Sequence, residues 1–117
     1  MTHYMNLNPS PFEMIASGAK TIELRLYDEK RQQIKVGDSI VFQKTSNHNE
    51  QITAEVIKLH KFNSFSELYE ALPLNKCGYL PEEIDSASYK DMEEYYSAEK
   101  QARYGVLGIE ICVLNIK

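Results

Sequence analysis

The chain has no tryptophan, only three histidines and two cysteines, and few turn-forming residues, with five glycines and four prolines among 117 residues. Cys77 and Cys112 form no Cys-x-x-Cys pair, so a disulfide framework is not indicated and both read as reduced thiols. His3, His48 and His60 are far apart and lack metal-ligand spacing, so no metal site is expected. There is no G-x-x-x-x-G-K-[ST], no G-x-G-x-x-G and no G-x-S-x-G, which removes phosphate-cradling loops and the serine-hydrolase elbow. No cofactor is implied. No apolar run approaches the ~20 residues of a membrane-spanning helix, and the first eight residues lack the basic and apolar blocks of a secretory signal. A cytoplasmic location with no membrane partner is the expectation. Positive charge is also short. The net charge is −4 and the pI about 5.4, the wrong sign for a protein that lives by non-specific contact with nucleic-acid phosphates.

What is present fits one domain spanning residues 1–117. Apolar residues make up 43% of the chain. Area scaling leaves ~6,500 Å² exposed after folding, about a third of the unfolded surface, which allows one core without staples. Charge is uneven. Residues 18–61 carry 8 Lys/Arg against 6 Asp/Glu, and residues 62–117 carry 5 against 10. A mildly basic front half beside an acidic back half can hold a local anion site.

Residues 3–7 alternate weakly, as a short strand does. Ser10 as N-cap, Pro11 at the first helical position and Glu13 as a capping box then predict a two-turn helix stopped by Gly18. Residues 20–27 read as a strand, with Ile22, Leu24 and Leu26 on one face and Thr21, Glu23, Arg25 and Tyr27 on the other. A strand at 39–44 and a polar hairpin loop at 45–50 follow. The strand at 51–62 slips phase between Val56 and Leu59, which predicts a bulge. Ser64 and Glu67 open a helix, 75–87 reads as loop, and 88–104 reads as helix broken near Ser97. A last strand spans 106–116. About five strands with two or three helices, and no regular βαβ rhythm, favour a small curved α+β sheet or barrel.

Residues 20–31 are the unusual stretch. Glu23 and Arg25 lie two apart on one strand face, with the Lys20 ammonium at its entrance. Together they offer a fork donor, a carboxylate that can accept from a base edge or move a proton, and a mobile cation. Spacing alone favours a plainer arrangement, an exposed sheet face with an ion pair worth ~0–1 kcal/mol. The tyrosines Tyr95, Tyr96 and Tyr104 divide the same way between core packing and stacking on a base. Ser97-Ala98-Glu99-Lys100 matches S-x-x-K, but Ser97 reads as a helix cap.

Three stretches carry a resemblance: Gly18-Ala19-Lys20-Thr21-Ile22-Glu23-Leu24-Arg25, Ile34-Lys35-Val36-Gly37-Asp38-Ser39-Ile40-Val41-Phe42, and Tyr104-Gly105-Val106-Leu107-Gly108-Ile109-Glu110. Across nearly its whole length the chain resembles the ASCH domain, the homology domain of activating signal cointegrator, related to the PUA-like fold. The resemblance implies a five-stranded mixed β-barrel flanked by two or three helices, and a cleft beside the signature strand that binds single-stranded RNA or a modified nucleoside. Lys20, Thr21, Glu23 and Arg25 carry over as cleft residues. Lys30, Arg31 and Lys35 would guide a backbone, and Tyr104 or another tyrosine would stack. One branch of the wider family resembles an amidohydrolase of acylated cytidines, with a Lys at the place of Lys20, a Thr nucleophile at the place of Glu23 and a Glu on the helix after the long strand. Here Glu67 or Glu70 could supply the last, but the Thr is missing. Thr21 is two residues early, ~6–7 Å along the strand. Lys20 with Glu23 could serve as acid and base for an N-acylated cytidine or an RNA phosphodiester. An adaptor surface on the Tyr-rich acidic segment 82–96 is the third alternative.

Overall fold

The computed structural model describes residues 1–117 throughout. Five strands form one sheet in the order β1-β3-β4-β5-β2: β1 (Thr2–Leu7), β2 (Ile22–Leu26), β3 (Ser39–Lys44), β4 (Asn47–Phe62) and β5 (Val106–Ile116). β1 runs parallel to β3, and every other pairing is antiparallel. The helices are α1 (Pro9–Ser17), α2 (Phe65–Ala71) and α3 (Ala98–Tyr104), with four short 3₁₀ turns. This is the expected α+β mixed sheet, curled into a half-barrel whose edge strands β1 and β2 share no ladder.

The curl follows from the slipped alternation in β4. Its register shifts between Val56 and Lys58, leaving Ile57 as an extra, exposed residue. Such a residue bends and twists its strand. β4 therefore pairs with β3 through residues 47–55 and with β5 through residues 52–62. Inside the curl, Met5, Leu7, Ile40, Phe42, Ile52, Val56, Leu107 and Ile109 pack with Phe12 and Ile15 of α1. On the other side, Ile22, Leu24, Leu26 and Val106 lie under Phe65 and Leu68 of α2. Each fully buried Leu, Ile or Phe contributes ~1.5–3 kcal/mol, so these two layers dominate stability.

Three local expectations are corrected. α1 begins at Pro9, with Asn8 as N-cap in extended backbone and no side-chain cap bond. Asn8 and Ser10 both precede a proline, and the helix takes the earlier start, with Pro9 at its first position, where a proline's missing N–H costs nothing. Glu13 then turns to Lys44 Nζ, 2.7 Å away. The polar loop at 45–50 shrinks to a turn at Thr45-Ser46, and β4 already starts at Asn47. Residues 88–104 break at Ser97 as expected, but the part before the break is a 3₁₀ turn and not α-helix. Ser88 and Asp91 cap a 3₁₀ turn over Tyr89–Glu94, and Ser97 starts α3 afresh by accepting from Lys100 N–H at 3.2 Å. α2 opens as expected. Ser64 Oγ accepts from Glu67 N–H at 3.3 Å, and the Glu67 carboxylate accepts from Asn63 N–H at 3.0 Å.

The seam between β1 and β2 is spanned by side chains. Met1 and Leu7 carbonyls accept from Ser39 and Thr45 N–H, so the odd residues of β1 face β3. Its even carbonyls therefore face the free edge. There Lys30 Nζ donates to Tyr4 O at 3.1 Å, and Arg25 Nη2 donates to Asn6 O at 2.9 Å.

Candidate functional site

The chain enters β2 clamped on two sides. Lys20 N–H donates to Met14 O of α1 at 3.0 Å, and Thr21 N–H donates to Lys76 O at 2.9 Å. That clamp aims the Lys20 side chain along β2. Its Nζ lies 2.7 Å from Glu23 Oε1. The other oxygen, Oε2, accepts from Arg25 Nε at 2.9 Å and lies 2.8 Å from Arg25 Nη2. The side chains of Lys20, Glu23 and Arg25 are 10%, 5% and 14% exposed. The exposed, charged sheet face that spacing favours is therefore overturned. The curl of the sheet brings β1 and α1 opposite β2, and the polar side of the strand closes over.

Burial pushes the Glu23 carboxyl up, but the charges and hydrogen bonds of Lys20 and Arg25 more than offset it, so its pKa lies below the ordinary carboxylate value. A buried ion cluster of this kind is weak support for stability, because apolar side chains of similar volume often do as well or better. Its place on the wall of a concavity makes it a functional-site candidate instead.

That concavity is a cleft of about 550 Å³, within the range of small-ligand sites (~300–1,000 Å³). Asn6, Ser10 and Met14 line one side, Lys20, Glu23, Leu24 and Arg25 another, and Tyr69, Tyr79 and Tyr95 a third. Gly78 makes the closure possible. Its φ is +109°, and a Cβ there would sit 3.3 Å from Lys20 Cδ. Only glycine takes that backbone without strain, so the loop lies against the lysine stem. Cys77 lies in the same wall. Burial pushes its thiol up to about 11, with Lys20 pulling down and Glu23 pushing up, so it stays protonated.

The tyrosines form a directed chain. Tyr79 Oη donates to Asp91 Oδ2 at 2.8 Å, and Tyr69 Oη lies 2.6 Å from Tyr79 Oη. Tyr79 spends its one O–H on Asp91, so in the bond between the phenols Tyr69 donates and Tyr79 accepts. Tyr69 then has only acceptor capacity left. Burial raises the pKa of both phenols above the ordinary tyrosine value. Tyr95 is 66% exposed at the rim, whereas Tyr96 stacks on Phe65 at 5.8 Å.

Other sequence candidates sit elsewhere. Thr21 serves through its backbone and does not line the cleft. Lys30 caps Tyr4 O, and Arg31 pairs with Asp28 at 3.1 Å. Lys35 is exposed on the turn before β3. Tyr104 carries Arg103 at 5.1 Å over its ring and lines a different hollow, a groove of about 1210 Å³, together with Glu67 and Glu70. Neither glutamate therefore reaches Lys20 as the hydrolase parallel requires. His3 bonds Asp38 at 2.8 Å, His60 bonds Glu110 at 3.0 Å, and His48 is exposed. Sequence reasoning missed Asn6, Met14, Tyr69, Tyr79 and Asp91. Tyr69 reads as one more inward helix position, and nothing local marks Tyr79 or Asp91.

Comparison with known proteins agrees with this fold. The family model of the ASCH domain matches residues 5–114. No curated protein matches. Among solved structures, hypothetical protein PH0355 is 34% identical with a TM-score of 0.81, covering 97% of this chain and 100% of that one. Protein PF0455 from Pyrococcus furiosus is also 34% identical, with a TM-score of 0.70 and coverage of 98% and 99%. ASCH from Zymomonas mobilis is 16% identical with a TM-score of 0.64, covering 95% of this chain and 66% of that one, a likeness of fold alone.

Proposed function

The chain belongs to the ASCH domain family, and from that membership we propose that its cleft holds one nucleobase, either splayed out of single-stranded RNA or in a free modified nucleoside. One observation carries the reading. The Lys20 ammonium is buried beside a base-sized cleft with Glu23 as its only protein partner. An ammonium has three N–H donors, so two remain for a ligand acceptor.

The surroundings favour a base over a phosphate. Two cations line the cleft, Lys20 and Arg25, against three carboxylates, Glu23, Asp91 and Glu94. A polyanion would meet net negative charge there, whereas a neutral, flat, polar-edged ring meets donors, acceptors and aromatic faces. Tyr95 is the stacking platform at the rim. The features also favour holding over turnover. The Glu23 carboxylate is engaged by two cations, and the Cys77 thiol stays protonated.

The test is Lys20→Met, which keeps the stem and removes the charge while Arg25 still neutralises Glu23. Ribonucleosides and short single-stranded RNAs are titrated by calorimetry. Affinity is expected to fall roughly tenfold or more, since a hydrogen bond to a charged group contributes ~1.5–3 kcal/mol. Binding by free nucleosides as well as oligonucleotides separates the two sources. Unchanged affinity in a folded Lys20→Met protein sinks the reading.

A further inference from the structure

β2 bonds to β5 through its odd residues. Thr21 C=O accepts from Ile111 N–H at 2.9 Å and Tyr27 N–H donates to Gly105 O at 3.0 Å. Glu23 faces Ile109 and Arg25 faces Leu107 between them. Backbone groups alternate along a strand, so the N–H and C=O of Ile22, Leu24 and Leu26 point to the opposite edge. No strand lies on that edge. Across the seam, β1's free carbonyls are taken by Lys30 and Arg25, but no such cation reaches Leu24. Of the three residues, only Leu24 borders the cleft. The Leu24 side chain packs in the outer layer, and the residue as a whole is 7% exposed. A backbone N–H and C=O are strong hydrogen-bonding groups, and on a cleft wall without a strand beside them they are open to a ligand's donors and acceptors.

We propose that the backbone N–H and C=O of Leu24 read the Watson–Crick edge of the base held in the cleft. Its N–H donates to a ring nitrogen or carbonyl oxygen, and its C=O accepts from the adjacent ring N–H or exocyclic amine. The inference rests on the base-holding reading above and narrows it. One donor beside one acceptor is what the lactam edge of uracil or guanine, or the aminopyrimidine edge of cytosine or adenine, presents. A phosphate offers acceptors alone and leaves the Leu24 carbonyl unmet. An added peptide strand needs a run of free backbone groups, and Ile22 and Leu26 do not border the cleft. Lys20 stands next along the same wall, placed for an acceptor flanking that edge. Tyr69, able only to accept, takes a donor.

The experiment uses the full, ¹⁵N-labelled chain. It is titrated with the four ribonucleosides, with 3-methyluridine, 3-methylcytidine, 1-methylguanosine and 1-methyladenosine, which block the Watson–Crick edge, and with 5-methyluridine and 5-methylcytidine, which leave it open. The nucleoside that binds is expected to lose roughly tenfold or more in affinity when that edge is methylated. A pyrimidine should stay within about threefold when methylated at C5, since that position lies off the edge. The Leu24 amide proton should move downfield on saturation. Equal affinity for the edge-methylated and parent nucleosides, or an unmoved Leu24 amide while resonances near Lys20 shift, overturns the inference and leaves the base-holding reading standing. Failure of every nucleoside, and of short single-stranded RNAs titrated beside them, to perturb any cleft resonance overturns both.

Discussion

The groove bounded by α2, α3 and the ends of β2 and β4 encloses about 1210 Å³, more than twice the 550 Å³ of the cleft beside β2. Size points to the groove, and hydrogen-bonding capacity points to the cleft. In the groove wall, Gln101 is 5% exposed, its Oε1 accepts from Phe65 N–H at 3.1 Å and its Nε2 donates to Tyr96 O at 3.1 Å. Glu67 caps α2, and Lys61 lies 4.8 Å over the Tyr27 ring. Those groups hold the outer layer to the sheet. In the cleft, Lys20 keeps two N–H donors and Leu24 keeps its backbone N–H and C=O. A hollow whose buried polar groups are already engaged is architecture, and one whose buried polar groups wait for partners is a site.

The strongest way to break that contrast is Glu23→Gln. It leaves two buried cations without their counter-charge, and about 3–5 kcal/mol of stability should be lost in urea unfolding at neutral pH. Because the folded pKa of Glu23 lies below the ordinary 4.5, its contribution is complete above that value and disappears as pH falls through the lowered one. Glu23→Gln should therefore flatten that part of the acid-unfolding curve, and a variant that unfolds like the parent would show that the triad is not buried.

Gln101→Leu sharpens the contrast from the other side. Leaving Phe65 N–H and the Tyr96 carbonyl unpaired should cost about 2–4 kcal/mol, while nucleoside affinity measured well below the melting temperature changes less than about twofold. Loss of binding in the folded variant would make the groove part of the site. The smallest effect is expected of Tyr69→Phe. It removes the first donor of the Tyr69–Tyr79–Asp91 chain, with a stability loss of about 0.5–1.5 kcal/mol and a few-fold loss of affinity. A larger affinity loss than Lys20→Met would move the centre of recognition from the lysine to the phenols.

The strands were legible because a two-residue period survives in almost any context. Even the β4 bulge shows as a slipped alternation at Val56–Leu59. The period says which residues share a face, however, and not whether that face is open. Thr21, Glu23, Arg25 and Tyr27 have the pattern of a solvated edge, and only the curl that brings Asn6 and α1 opposite them reveals burial. The third wall was hidden for a different reason. Tyr79 sits in the loop between two short 3₁₀ turns and Asp91 within a third, segments with little periodicity of their own, and their geometry comes from contacts to α2. The break near Ser97 was legible from its cap, but the 3₁₀ winding of the turn that Ser88 caps was not.

The seam has a consequence for life in a crowded solution. An unpaired strand edge is a template on which another molecule can lay its own strand and begin a polymer. In β1, Lys30 and Arg25 sit on successive outward carbonyls, at Tyr4 and Asn6. A second chain would have to displace both cations before its own N–H groups could dock. The contacts that draw the curl together also keep one copy from growing onto the next.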